Sequence, residues 1–191
     1  MPSLHRRRFG PLLLAGAAAA LVAAPRRDAA AATRREIDAD VAAAMTRLRN
    51  MDNLAPRLLR DARATLIFPR IVSGGFIVGG QYGEGAALGP NGNIQGYYNI
   101  AGVSFGLLAG AQASGLAMFF MTEEAIAALM RADGWEIGTG PTVVALDQGA
   151  QMNITATTVL EPVYAITFNQ QGLMAALALN GTKISRINPD A

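Results

Sequence analysis

Ile71-Val-Ser-Gly-Gly-Phe-Ile-Val-Gly-Gly-Gln-Tyr-Gly-Glu-Gly85 is the stretch on which the fold turns. β-Branched and aromatic residues alternate with glycine, which argues for one or two strands kinked where glycine sits. Gly89-Pro90-Asn91-Gly92-Asn93 follows, with Asn-Gly at its centre, and predicts a hairpin turn into a returning strand over Ile94–Ile100. Val103–Ala113 and Leu116–Met121 are predicted as two further apolar strands. Thr122 is placed to cap a short helix over Glu123–Arg131, closed by Asp133-Gly134. Trp135–Thr139, Thr142–Leu146, Met152–Thr158, Val163–Phe168, Leu173–Leu179 and Ile184–Ile187 complete the strand candidates, several of them separated by turn signals.

From Gly85 to Thr122 there is no charged residue, and Gly102, Gly106 and Gly110 repeat every fourth position, as in paired membrane helices. Ser104, Gln112, Ser114 and Gly115 interrupt that reading, so buried, glycine-broken strands of a tightly curved sheet are expected instead.

Upstream the period is helical. Ile37, Val41, Ala44, Leu48 and Met51 share one face of a helix over 34–51, with Glu36, Asp38 and Asp40 early and Arg47 and Arg49 late, matching the helix dipole. Pro56 opens a second short helix over 56–64, which Phe68-Pro69 ends. Leu58, Leu59 and Ala62 share one side of it; Arg57, Arg60 and Arg63 recur every third residue on the other. The expected class is α+β: N-terminal helices, then a glycine-rich, mostly antiparallel curved sheet or small barrel with one inserted helix.

Residues 1–32 read as a twin-arginine export signal. Arg6-Arg7-Arg8-Phe9 precedes an apolar run over Pro11–Ala24, and Ala30-Ala31-Ala32 offers a small-x-small cleavage site. The 191-residue chain has no cysteine, and its single histidine is His5, inside this leader. Thiol nucleophiles, disulfides and imidazole-based triads are thereby excluded from the mature part. Residues 33–70 hold eight arginines against five acids, whereas 71–191 hold three basic residues against eight acids. A basic arm before an acidic, apolar body suggests an anionic partner. Nucleic acid is not expected, since the arm carries no aromatic apart from Phe68.

Ala64-Thr-Leu-Ile-Phe-Pro69, then Gly74-Gly75-Phe76-Ile-Val-Gly79-Gly80-Gln-Tyr82-Gly83-Glu84-Gly85, then Gly102-Val-Ser104-Phe-Gly106-Leu-Leu-Ala-Gly110-Ala-Gln112, and finally Gly172-Leu173 through Gly181, resemble the SYLF domain, also called the Ysc84-type actin-binding domain. The motif positions are Phe68, Pro69, Gly75, Phe76, Gly79, Gly80, Tyr82, Gly83, Glu84 and Gly85. Two departures stand out: Tyr97-Tyr98 replaces a common tryptophan, and Gln170-Gln171-Gly172-Leu173-Met174 replaces a late lysine-rich element. The resemblance implies binding of acidic lipid head groups, together with phosphoinositide and actin binding in eukaryotic members. For an exported chain the transferable part is peripheral binding of anionic lipid.

The expected function is therefore non-enzymatic association with an anionic phospholipid or membrane surface, by an exported, periplasmic or secreted protein. Arg57, Arg60, Arg63 and Arg70 are the candidate lipid-binding residues, because guanidinium groups pair with phosphate oxygens through two parallel bonds. No cofactor or metal is expected. The alternative is an envelope protein-interaction or scaffold module. Catalysis by converging carboxylates would need Glu84, Asp147 and Glu161 together, which their spacing does not ask for. Gly79-Gly80-x-x-Gly83-x-Gly85 departs from the dinucleotide pattern Gly-x-Gly-x-x-Gly. Two roles stay open for Glu84: closing a turn or bulge, or standing exposed for function.

Overall fold

Thr33 starts the first helix with a capping box. Its hydroxyl accepts from the Glu36 amide, and the Glu36 carboxylate accepts from the Thr33 amide at 2.9 Å. Helix α1 (Arg34–Arg49) buries Ile37, Val41, Ala44 and Leu48, as the stripe predicts. Helix α2 (Ala55–Asp61) has Pro56 in its first turn and buries Ala55 and Leu58. It stops at Asp61, and Ala62 is already extended. The computed structural model describes residues 32–51, 54–75, 78–105, 110–146, 161–171, 179 and 181–190.

Eight strands follow: β1 (Ala64–Gly75), β2 (Val78–Leu88), β3 (Ile94–Phe105), β4 (Gly110–Phe120), β5 (Trp135–Glu136), β6 (Val143–Leu146), β7 (Val163–Gln171) and β8 (Lys183–Ile187), with helix α3 (Glu123–Leu129) after β4. They form one sheet in the order β5-β8-β3-β2-β1-β4-β7-β6, antiparallel throughout except for the β6–β7 pair. The class is α+β, as expected. The hairpin turn over 89–93 joins β2 to β3, and Thr122 caps α3 by accepting from the Ala125 amide.

Several boundaries differ from the sequence reading. Phe68-Pro69 does not end a helix but lies inside β1, because Leu66 and Phe68 face one apolar core while Ile67 faces another, a two-residue alternation that a helix cannot supply. The expected Val103–Ala113 strand is divided between β3 and β4. The tryptophan strand shortens to Trp135–Glu136. No described helix is long and apolar enough to cross a membrane, and the described residues within 100–121 belong to strands. Met152–Thr158, Phe76 and most of Leu173–Leu179 lie outside the described residues.

The two cores occupy opposite faces of the sheet. On one face, α1 and α2 cover Ile67, Ala86, Ala117, Phe119, Tyr164 and Ile166. On the other, Leu66, Phe68, Ile71, Ile100, Leu116, Met118, Phe120 and Ile184 gather with Ala125 and Leu129 of α3 and with Trp135. This second face is concave. Phe120 on β4 and Trp135 on β5 lie five strand positions apart in the sheet order, about 24 Å if the sheet were flat. Their rings meet edge-on at 5.9 Å between centroids. The sheet is curled into a half-barrel around this core.

The curl has a local cause. Between Ile67 and Arg70, β1 spends three steps while β2 spends two, from Ala86 to Glu84; against β4 the same slip occurs between Phe68 and Ile71. One extra residue is accommodated in a bulge containing Pro69, whose missing N–H a regular central strand could not tolerate. The bulged backbone leans on β2. A Cβ at Gly83 would lie 2.7 Å from the Arg70 carbonyl oxygen, and one at Gly85 would overlap the Ile67 carbonyl oxygen. Glycine is required at both positions by contact. Beyond the bulge the inner face turns polar at Ser73, Gln81 and Thr182, all buried, with the Gln81 amide donating to the Thr182 hydroxyl at 2.7 Å.

Gly85→Ala is expected to destabilise the protein by about 2–3 kcal/mol in urea unfolding, the range for overpacking a tight site. Gly80, whose added Cβ would meet only the Gly102 carbonyl oxygen at 3.9 Å, is the control. Gly80→Ala should stay within about 0.5 kcal/mol of the parent or stabilise it.

Candidate functional site

The arginine-rich arm does not present one row of charges. Arg57 pairs with Asp61 one turn later on α2, at 3.5 Å. Arg63 lies past the end of the helix, in the turn into β1, where its amide donates to the Phe120 carbonyl and its guanidinium pairs with Glu123 at 2.8 Å, at the start of α3. Arg70 sits seven residues along β1, about 23 Å away at the rise of an extended strand, across from Glu84 in the β1–β2 register. Of the four, Arg60 lines a concave surface.

That surface is a groove of about 420 Å³ between α1, α2 and the β2–β3 turn. Met45, Pro56, Leu59 and Ala62 supply an apolar lining, Gly89, Pro90 and Gly92 contribute the turn, and Arg49 and Arg60 are its two cations. Among the described residues, no carboxylate pairs with either guanidinium. Arg49 reaches the groove from the last turn of α1, four residues after Met45, so both fall on one helix face. Gly92 holds the turn in a left-handed conformation, φ +77°, at the Asn-Gly signal already visible in the sequence. Arg47, by contrast, donates to Asn169 at 2.8 Å.

The glycine block plays a different part. Phe68 is buried, Pro69 lies in the bulge, and Gly83 and Gly85 fit against it, while Gly75 and Gly79 pair across β1 and β2. Gly80 and Tyr82 face outward, Tyr82 half exposed. Glu84 also faces outward and accepts two hydrogen bonds, from the Tyr82 hydroxyl at 2.6 Å and from the Ala32 amide at 2.9 Å. It is thus opposite the bulge and ties down Ala32, the residue before the cap of α1.

The site is held to the sheet through α1. Arg34 pairs with Asp190 at 2.7 Å and lies 5.2 Å over the Tyr97 ring, while the Tyr97 hydroxyl donates to Asp38 at 2.8 Å. Burial, followed by the hydrogen bond to Asp38, raises the Tyr97 phenol above its ordinary value of 10.0. Burial and Glu84 do the same to Tyr82, and burial does so to Tyr98. Among the described residues no three histidine, cysteine, aspartate or glutamate side chains are grouped to hold a metal ion.

A family model described as Las17-binding protein actin regulator, Ysc84, matches residues 101–189. Over residues 101–189 the chain is similar to the Ysc84 (SYLF) domain. The matched span runs from the second half of β3 through β8, so it includes the inner core around Trp135. The groove and the Tyr82–Gly85 block lie before it. No curated protein matches the chain. Of the groove residues, Arg60 is legible in the sequence as part of an arginine repeat. The sequence reading names Arg49 only as a late helix charge; the signal available for its place in the groove is the Met45–Arg49 spacing, an apolar and a basic residue stacked one turn apart.

The three raised tyrosines give the folded protein an alkaline limit. Each binds its proton more tightly folded than unfolded, so its contribution is complete below pH 10 and is lost as pH rises through the higher folded values. Tm should fall on titration above about pH 10, and Tyr97→Phe should remove part of that fall. An alkaline profile identical in Tyr97→Phe and the parent would contradict the assignment to α1 docking.

Proposed function

We propose that the protein binds anionic lipid head groups peripherally at a membrane surface, and that the groove flanked by Arg49 and Arg60 is where the head group is held. Two guanidinium groups without a carboxylate partner among the described residues, set beside an apolar lining, carry this reading. A phosphate between them would receive planar, multi-donor hydrogen bonds. Met45, Leu59 and Pro56 would accept the glycerol end of the same molecule. Near an anionic surface each basic residue contributes about 1 kcal/mol, so two give a weak, salt-sensitive attachment. Membership in a family whose description is one of binding and actin regulation agrees with a docking role rather than a catalytic one. The reading of residues 1–32 as an export signal supports an anionic surface of the cell envelope, rather than actin, as the partner.

A second reading is favoured by one observation. Val72, Tyr82 and Val103 are exposed at 44%, 49% and 60% on the outer face of the sheet, Val72 directly opposite Tyr82 and Val103 opposite the adjacent Gly80. Such a patch suits contact with an envelope protein.

Flotation with vesicles separates the two. Binding to vesicles containing phosphatidylglycerol should weaken at least tenfold in Arg49→Glu/Arg60→Glu, fall with added salt, and change little in Arg63→Glu. Binding that survives the double change, or that is equal on neutral vesicles, overturns the groove. A partner captured by the parent and by the arginine double variant, but lost in Tyr82→Glu, supports the second reading.

A further inference from the structure

Glu84 is engaged from two sides, by the Tyr82 hydroxyl at Oε1 and by the backbone nitrogen of Ala32 at Oε2. Ala32 is no loose end. It packs against the core between the helices and the sheet, and its successor Thr33 is the cap of α1. The backbone nitrogen of Ala32 is thus the first described point at which the chain is bonded to the sheet. A peptide N–H gives a carboxylate one neutral donor. An ammonium at the same nitrogen gives three donors and a full charge, and charge-assisted bonds of this kind are about twice as strong as neutral ones.

The residues before that nitrogen read Asp28-Ala-Ala-Ala31. Small side chains thus stand at both positions a signal peptidase recognises ahead of the Ala31–Ala32 bond, one residue earlier than the cut after Ala32 that the leader boundary at 32 implies. Cutting after Ala32 would remove the donor and leave that oxygen of Glu84 without it.

We propose that the leader is removed between Ala31 and Ala32, and that the new α-ammonium of Ala32 forms an ion pair with Glu84. Water splits the amide under a signal peptidase, leaving a carboxylate on Ala31 and an ammonium on Ala32. The mature domain then carries an electrostatic latch that its precursor lacks, joining the start of α1 to β2 where β2 faces the bulge. The inference rests on the export reading, and it is independent of the groove.

The test uses the full chain, expressed with its own leader in a bacterium that has twin-arginine export and purified from the envelope. Intact mass should give a chain beginning at Ala32. A chain beginning at Thr33, or at any other residue, overturns the proposal and leaves the export reading standing; a retained full-length chain overturns both. The ion pair is read separately by acetylating the α-amine in a Lys183→Arg background, Lys183 being the sole lysine. Acetylation should lower Tm by about 2 °C with Glu84 present and by under about 0.5 °C in Glu84→Gln, the scale of a partly exposed pair in a domain of this size. Equal shifts in the two backgrounds would show that the amine and Glu84 do not interact, and would overturn the latch even if the cut is at Ala32.

Discussion

Everything in this molecule depends on bringing distant strands of one sheet together. The edge-on contact of Phe120 with Trp135 joins strands five positions apart, and only a tightly curled sheet allows it. Curling wraps one face around a core that includes α3 and leaves the other face convex for α1 and α2. The bulge at Pro69 is the local device. It adds right-handed twist, and it also resets the alternation of β1. Leu66 and Phe68 face inward before it, Ile71 and Ser73 after it. With strict alternation Arg70 would have followed Phe68 into the apolar core, where an unpaired guanidinium is prohibitively costly. The extra residue turns Arg70 out.

Much of the fold was legible because it is written in local chemistry. The apolar stripe of α1, the Asn-Gly hairpin and the Thr122 cap are each set by residues a few positions apart, and each was found where its signal stands. The resemblance pointed to the family whose model matches residues 101–189, and Ser104, Gln112, Ser114 and Gly115 argued for strands rather than a membrane helix. What was misread is what depends on a partner far away in the chain. Pro69 looks like a terminator until β2 supplies Gly83 and Gly85 to receive the bulge. Trp135 opens only a two-residue strand because its ring is committed to Phe120 and its indole N–H to the Thr139 carbonyl.

The candidate site shows the same division. A repeat of arginine every third residue describes a helix face only while the helix lasts, and α2 ends at Asp61. Past that point Arg63 is drawn to Glu123, sixty residues away in sequence, which periodicity cannot foresee. Arg49 enters the groove because α1 crosses near the β2–β3 turn, a placement set by the packing of Ile37, Val41, Ala44 and Leu48 on the sheet. Spacing located the basic arm; tertiary packing chose which of its charges share a surface.

Among the described residues the curled sheet stops short of closure and keeps two open borders, and the strands there are β5, with two residues, and β6, with four. The long strands, eleven or twelve residues each, sit inside the order, paired on both sides. A short border offers few free amides and carbonyls for a strand of another molecule to add onto. The order of strands thus guards a glycine-rich, apolar chain against runaway self-association, so that its greasiest segments can be kept in the middle without seeding fibres.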